Sequence, residues 1–219
     1  WFEIQDEGSQ IVADLVYARP GEQVLDYCAG AGGKTLALTA VMDNKGQVHA
    51  YDADKSRLAP IFERIKRAGT RNVQVHAAGS DLSGLEGRMD RVVIDAPCTG
   101  SGTWRRRPDA KWRLRPHAIE ERLKEQHDVL EEAARFVRPG GFLVYITCSL
   151  FRPENEGQVY AFCERHPDYD ILSAGEVWQD LFGFDKPQPW SEDLKCITLT
   201  PAATDTDGFF FAVMQKKQA

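Results

Sequence analysis

The chain has 219 residues, 42% of them hydrophobic, and a net charge of -6, which suits one α/β domain over 1–219 with a substantial core. No run approaches the roughly 18 apolar residues of a membrane span, and the opening WFEIQDEGSQ is not a signal sequence, so a cytoplasmic, membrane-free protein is expected. The acidic balance excludes a protein that grips nucleic acid with its whole surface, and five scattered cysteines without a CxxC suggest neither a disulfide framework nor a metal site.

Residues 6–17 carry Ile11, Val12, Leu15 and Val16 at helical spacing and stop at Pro20-Gly21. This predicts an amphipathic helix, either a cover for a sheet edge or part of a ligand site. A short strand, 23–27, opens into Cys28-Ala29-Gly30-Ala31-Gly32-Gly33-Lys34, and the apolar run 35–42 suits a helix. Strand, glycine turn and helix form the nucleotide-binding half of a Rossmann-like unit, where backbone N–H groups face the ligand. The next strand, 46–51, ends at Asp52, about 20 residues beyond the glycines, where a carboxylate can bind ribose hydroxyls. A helix over 55–68 places Leu58, Ile61, Phe62 and Ile65 toward the core. A third strand, 72–77, leads to Gly79-Ser80-Asp81. Asp81 is either a partner for an exocyclic base amine or an ordinary turn residue.

Asp90 to Arg115 reads DRVVIDAPCTGSGTWRRRPDAKWRLR. Residues 91–94 form a buried strand that ends at Asp95 and Pro97, and ligands of open α/β sheets bind outside the carboxyl ends of their strands. Asp95 and Cys98 therefore fall at a candidate site. Small residues follow, then Arg105, Arg106, Arg107, Lys111, Arg113 and Arg115 interleaved with Trp104 and Trp112. Cations can hold phosphates and indoles can stack on bases, although a solvated basic loop has the same composition. Residues 116–137 predict a long helix broken by Pro139-Gly140-Gly141, and the strand 142–147 ends at Cys148-Ser149. A helix over 152–166 places Cys163 in packing, and Cys196 sits in an apolar strand. Residues 173–193 suggest no element. Strands 195–199 and 208–214, joined by the turn-rich 201–207, predict a hairpin at the sheet edge. The whole reads as a mainly parallel Rossmann-like sheet with an antiparallel edge hairpin, folding as a monomer.

Gly33-Lys34-Thr35 nearly completes a Walker A phosphate loop, with residues 92–95 as its metal-binding strand, but Cys28 stands where that loop needs glycine. Read as Asp26-x-Cys28-x-Gly30-x-Gly32, the turn resembles the AdoMet-binding signature of class I methyltransferases. DYCAGAGGK, YDADKSRL, DAPCTGSGTWRRRPDAKW, YITCSLFRPENE and DGFFFAV follow in the order and approximate spacing of a known family. Together they resemble the RNA cytosine-5 methyltransferases of the Fmu/Sun (RsmB) and NOL/NSUN family over nearly the whole chain. A catalytically silent RNA-binding module of the same fold is the alternative from another class.

The resemblance implies S-adenosyl-L-methionine as donor and cytosine in RNA as acceptor, most often ribosomal RNA, with transfer RNA the alternative. Carbon 5 of cytosine is a poor nucleophile, so a thiolate adds first to carbon 6. The resemblance gives that attack to Cys148 and product release to Cys98, with Asp95 bonding the flipped base. DNA cytosine-5 methyltransferases, which attack with the Pro-Cys thiol, would instead favour Cys98. The two sulfurs are expected on opposite sides of the pyrimidine ring. Cys28 to Lys34 would line the methionine part of the cofactor, with Lys34 on its carboxylate. Asp52 would bind the ribose and Asp81 the adenine, and Arg57 and Asp95 would also contact the cofactor. Arg105, Arg106, Arg107, Lys111 and Trp112 would orient RNA. Family members carry a further RNA-binding domain, so a separate N-terminal domain is expected in the full protein.

Overall fold

The computed structural model describes residues 3–185 and 187–218; Lys186, within the stretch left without an element, is outside them. Five strands pair in parallel: β1 (Gln23–Asp26), β2 (Gln47–Tyr51), β3 (Val73–His76), β4 (Met89–Asp95) and β5 (Val137–Thr147). Their order across the sheet is β3-β2-β1-β4-β5. The chain winds outward from β1 in one direction and then, through β4, in the other. That reversal opens a crevice above the carboxyl ends of β1 and β4, where both the glycine turn and Asp95 lie.

β6 (Tyr169–Ile171), β7 (Cys196–Leu199) and β8 (Phe209–Lys216) complete the sheet in antiparallel fashion. The expected hairpin of β7 and β8 is present, but β8 is not an edge strand. It inserts beside β5, and its outer side is divided between β7 and β6. This explains why Phe210 to Ala212 are fully buried, as an interior strand requires.

Side chains alternate across the central strands. Val92, Ile94, Leu143, Tyr145 and Phe210 face one side, where α6 (Ala118–Ala134) and α7 (Glu156–Arg165) pack through Leu130, Val159 and Phe162. Val93, Val144, Ile146 and Phe211 face the other, covered by α1 (Glu7–Leu15), α2 (Gly33–Val41) and α8 (Ala174–Phe182) through Val12, Leu38 and Trp178. The result is a three-layer α/β/α domain.

Four local expectations change. The helix expected over 55–68 divides into α3 (Lys55–Leu58) and α4 (Ile61–Ala68), because Pro60 cannot donate to the preceding turn, and Phe62 faces solvent. Pro139-Gly140-Gly141 does not separate a helix from a strand. β5 already begins at Val137, and the register against β4 shifts between Met89 and Arg91. The stretch 173–193 contains α8, whose N-cap Ser173 accepts a hydrogen bond from the Glu176 N–H at 3.2 Å; Ser-x-x-Glu before an apolar run was a readable start signal. Finally, short helices α5 (Ala110–Arg113) and α9 (Pro201–Thr204) interrupt segments expected to be irregular.

The turn after β1 depends on Gly32, which caps α2 at φ +83 and whose missing Cβ would lie 2.4 Å from Ile61 Cγ1. Gly32→Ala combines a disfavoured backbone conformation with overpacking against a fully buried side chain. It should cost about 1–3 kcal/mol, read as a fall of several degrees in thermal unfolding of the folded domain.

Candidate active site

The glycine turn is held open by bonds to the neighbouring strand. Ala29 N–H donates to the Tyr51 carbonyl and Gly30 N–H to Asp52 Oδ2, both at 2.9 Å. Asp52 is 3% exposed, and its other oxygen accepts from the Asp54 N–H at 2.8 Å. Asp52 thus fixes the turn as well as facing the crevice. A cavity of about 670 Å³ lies here, bounded by Tyr27, Cys28, Tyr51, Asp52, Arg57 and Pro97 among others. Cys28 and Arg57 also border a 190 Å³ cavity that reaches Ala29, Gly30, Ala31, Gly33, Lys34 and Asp95. On the other side, Tyr27 and Tyr51 border a 280 Å³ cavity that reaches Asp81. The three form one trough across the strand ends. Asp81 stands at its far end, exposed, with Oδ1 accepting from the Ser83 N–H at 2.8 Å, so it also makes a turn. Of the loop residues, Ala31 is solvent-exposed and its carbonyl accepts from Arg64 at 2.8 Å.

Lys34 leaves the turn and reaches across the crevice. Its nearly buried Nζ donates to Asp95 Oδ2 at 2.7 Å and lies 3.4 Å from Ser9 Oγ. Its ammonium is therefore committed first to Asp95, joining the glycine turn to the end of β4. Beneath it Asp26 is fully buried; Thr35 Oγ1 donates to Oδ2 at 2.6 Å, and Oδ1 has no partner. Burial, added to the nearby Asp95 and Asp52 charges, raises its carboxyl to about 7 against the opposing Thr35 bond and Lys34 charge. The motif pointed at Asp26 without indicating that state.

The Cys98 and Cys148 sulfurs are 3.3 Å apart. They lie beyond β4 and β5, whose parallel register pairs Asp95 with Ile146. Proximity was expected, and the sulfurs are in direct contact, with no room for a ring between them in this arrangement. The pair is asymmetric. The hydrogen bond from Cys98 pulls the Cys148 thiol below its ordinary value, with help from the Lys34 charge, whereas burial and Asp95 oppose the shift. The same bond, burial and the neighbouring Cys148 charge push Cys98 well above its ordinary value, with the smallest contribution from Glu154. Of the two, Cys148 is thus the more acidic thiol. Burial raises Cys28 too. Cys163 and Cys196, raised to about 11 and about 12 chiefly by burial, lie in the packed layer that the sequence indicated.

Sequence reasoning missed what holds the thiol loops. Glu154, fully buried in a 3-10 turn, accepts from Thr99 N–H at 2.8 Å, Thr99 Oγ1 at 2.6 Å and Gln126 Nε2 at 3.1 Å. It also accepts a short bond from Ser149 Oγ. Gly102 N–H donates to the Cys148 carbonyl at 2.9 Å, and Gly208 N–H to the Gly102 carbonyl at 2.8 Å. A Cβ on Gly102 would lie 2.2 Å from the Gly208 oxygen, so the close approach needs glycine. The signal lay in RPENE and DGFF, whose Glu154 and Gly208 carry no chemistry that a motif would reveal alone.

The basic strip divides in two. Arg105 and Arg106 turn back onto Asp207, which is fully buried, and approach Asp6. They clamp the loop to the entry of β8 and the start of α1. Arg107, Lys111 and Trp112 face solvent, with Lys111 Nζ 4.8 Å from the Trp112 ring centre.

A class I AdoMet-dependent methyltransferase fold is defined by this sheet order and by the trough at its switch point. The family model described as 16S rRNA methyltransferase RsmB/F matches residues 13–215, and the chain belongs to that family. It is 34% identical over 220 residues to ribosomal RNA small subunit methyltransferase B of Escherichia coli and 35% identical over 218 residues to the probable enzyme of that name from Bacillus subtilis. These matches cover 99% and 98% of the chain and 47% of each relative, so the chain spans about half the length of the curated relatives. The crystal structure of NSun6 from Pyrococcus horikoshii, solved with SFG, superposes with a TM-score of 0.82 at 29% identity, covering all of this chain and 54% of the other.

Two outcomes follow from the geometry. Because the Asp26 carboxyl titrates at about 7 when folded and at its ordinary 3.8 when unfolded, the native state holds the extra proton between those values. Stability contributed by that proton is present below about pH 4 and lost as pH rises through about 7. Asp26→Asn should therefore flatten the loss, gaining on the order of a few kcal/mol relative to wild type at mildly alkaline pH but not at acid pH, in urea unfolding. Arg106→Glu would set a carboxylate against buried Asp207 and should lower the unfolding temperature by several degrees, whereas Arg107→Glu should leave it unchanged within about 1 °C.

Proposed function

We propose that this chain is the catalytic domain of an RNA cytosine-5 methyltransferase that uses S-adenosyl-L-methionine and acts on ribosomal RNA. The observation that carries the proposal is the asymmetric thiol pair, which lies beside Asp95 and one end of the nucleotide-sized trough. The family's description supports ribosomal RNA over transfer RNA.

The residues present suit the cofactor. Pockets of roughly 300–1,000 Å³ hold ligands of its size. Tyr27 and Tyr51, with ring centres 5.2 Å apart, offer apolar walls toward Asp81, and Asp52 and Arg57 supply polar groups along the middle. The glycine turn and Cys28 line the smaller cavity, which suits the amino-acid end. When bound, S-adenosyl-L-methionine supplies an electrophilic methyl group.

The chain's own groups supply the rest. Cys148, the more acidic of the two thiols, loses its proton and attacks carbon 6 of an unstacked cytosine. The Cys148–carbon 6 bond makes carbon 5 electron-rich. Asp95 Oδ1, which Lys34 does not engage, accepts a hydrogen bond from ring nitrogen 3 once that atom is protonated during addition. Lys34 keeps the Asp95 carboxylate oriented, so the contact strengthens as charge develops instead of being rebuilt. Cys98, in contact with the attacking sulfur, is placed to help remove the carbon 5 proton, after which the carbon 6–sulfur bond breaks. Arg107, Lys111 and Trp112 lie outside the internal clamp and can meet phosphate and base.

Cys148→Ala should abolish methyl transfer and covalent adduct together, whereas Cys98→Ser should keep attack and accumulate a protein–RNA adduct on denaturing gels. Adduct from Cys148→Ala and none from Cys98→Ser would exchange the roles. Absence of S-adenosyl-L-methionine binding in calorimetric titration would favour a silent RNA-binding module, and magnesium-dependent ATP binding would favour the phosphate-loop alternative. Charge reversal at Arg107 and Lys111 should weaken RNA binding and reduce its log–log salt slope by about 2, one per lost phosphate contact; an unchanged slope would make this half of the strip solvated surface.

A further inference from the structure

The contact between Cys98 and Cys148 admits a second chemistry besides attack and release. The two residues are 50 positions apart in the chain, their sulfurs lie 3.3 Å from each other, and both side chains are free thiols that keep some exposure. A disulfide needs about 2.05 Å between sulfurs, so roughly 1.2 Å of further approach would join them.

The anchors of both loops leave that approach to the side chains. Thr99, after Cys98, donates to Glu154 through its N–H and its hydroxyl, and Ser149, after Cys148, donates to the same carboxyl group. Gln126 Nε2 reaches in from α6 to the Pro97 carbonyl at 2.9 Å and to Glu154 at 3.1 Å, and the Gly102 N–H holds the Cys148 carbonyl. These bonds fix the two backbones side by side and leave each thiol to turn about its Cα–Cβ bond. Gly100 flanks Cys148, and even an added Cβ there would stay 4.0 Å from the sulfur. Cys28, Cys163 and Cys196 are free thiols too, but among the described residues no other two cysteine sulfurs are bonded to each other.

We propose that Cys98 and Cys148 form a reversible disulfide with hydrogen peroxide as the oxidant, a modification that withdraws both thiols from the reaction until a dithiol reopens the bond. One thiol, as its anion, attacks a peroxide oxygen. The O–O bond breaks, and the departing hydroxide takes up the proton which that thiol released, giving water and a sulfenic acid. The second sulfur then attacks the sulfenic sulfur, the S–O bond breaks, and the hydroxyl leaves with the second thiol's proton as another water. Two thiols lose two electrons, and one peroxide becomes two waters. Either sulfur can begin the sequence, because both orders end in the same bond. The inference rests on the proposed function only for what is switched off: once joined, neither sulfur can add to carbon 6 or help remove the carbon 5 proton.

Contact also decides the fate of the sulfenic acid. Left alone it oxidises further to sulfinic and sulfonic acids, which dithiols do not reduce, whereas a thiol already beside it captures it first. The pair therefore protects the sulfur that it silences.

The test is a map of cysteine oxidation in the folded, fully reduced protein without RNA or cofactor. After treatment with a small excess of hydrogen peroxide and alkylation of the remaining thiols, mass spectrometry of unreduced peptides should show the Cys98–Cys148 link about tenfold or more above any other pairing. Cys28, Cys163 and Cys196 should remain open to alkylation once the protein is unfolded, and dithiothreitol should restore both linked thiols. Unfolding in guanidinium before oxidation should abolish the preference. In Cys98→Ser, Cys148 should instead accumulate sulfinic and sulfonic acid to several times the wild-type level. Sulfinic or sulfonic acid at both positions of the wild type without a link would overturn the inference, as would an equal preference in guanidinium; both results are read even if Cys98→Ser fails to fold. Linked protein that transferred methyl as fast as reduced protein would also sink it. Reduced protein that links as expected but transfers no methyl to ribosomal RNA would count against the proposed reaction and leave the disulfide standing.

Discussion

Parallel pairing of β4 with β5 is the constraint on which the rest depends. Pairing Asp95 with Ile146 brings two loops that are 50 residues apart in sequence to the same height above the sheet. Because both strands are buried on both faces, a slip of one residue would carry Val92, Val93 and Ile94 to the wrong layers. The core therefore sets the register, and the register sets the position of the sulfurs. Polar contacts then fix what packing has placed: the Lys34–Asp95 ion pair spans the crevice, and Glu154 bonds to the loops of both thiols.

Much of this was legible in the sequence because it rested on local pattern. A β-branched run marked β4, short apolar segments marked β1, β2 and β5, and the small residues after β1 marked a turn. Chemistry-bearing side chains just beyond strand ends marked the crevice. The hairpin was legible as a pair, but its place in the sheet was not, since the insertion of β8 beside β5 is a long-range choice. Tyr169–Ile171 is too short to alternate visibly. Pro139-Gly140-Gly141 misled because breaker residues also make strand irregularities.

The candidate site was legible to the same degree. Asp52, Asp95, Cys98 and Cys148 declared themselves by type and position. The charge state of Asp26 and the tethers from Glu154 depend on burial and on partners far along the chain, which no spacing reveals. The arginine run shows the limit of composition. Identical side chains in succession divide between an internal clamp on Asp207 and a solvent-facing pair of cations, according to which acid lies within reach.

The contact between Gly102 and Gly208 links two regions that the sheet keeps apart. The trough is framed by the segments that follow β1 and β2 and by α6, whereas the loop carrying Cys148 is pinned through Gly102 to the start of β8. The walls of the trough and the seat of that sulfur are therefore held by different parts of the fold.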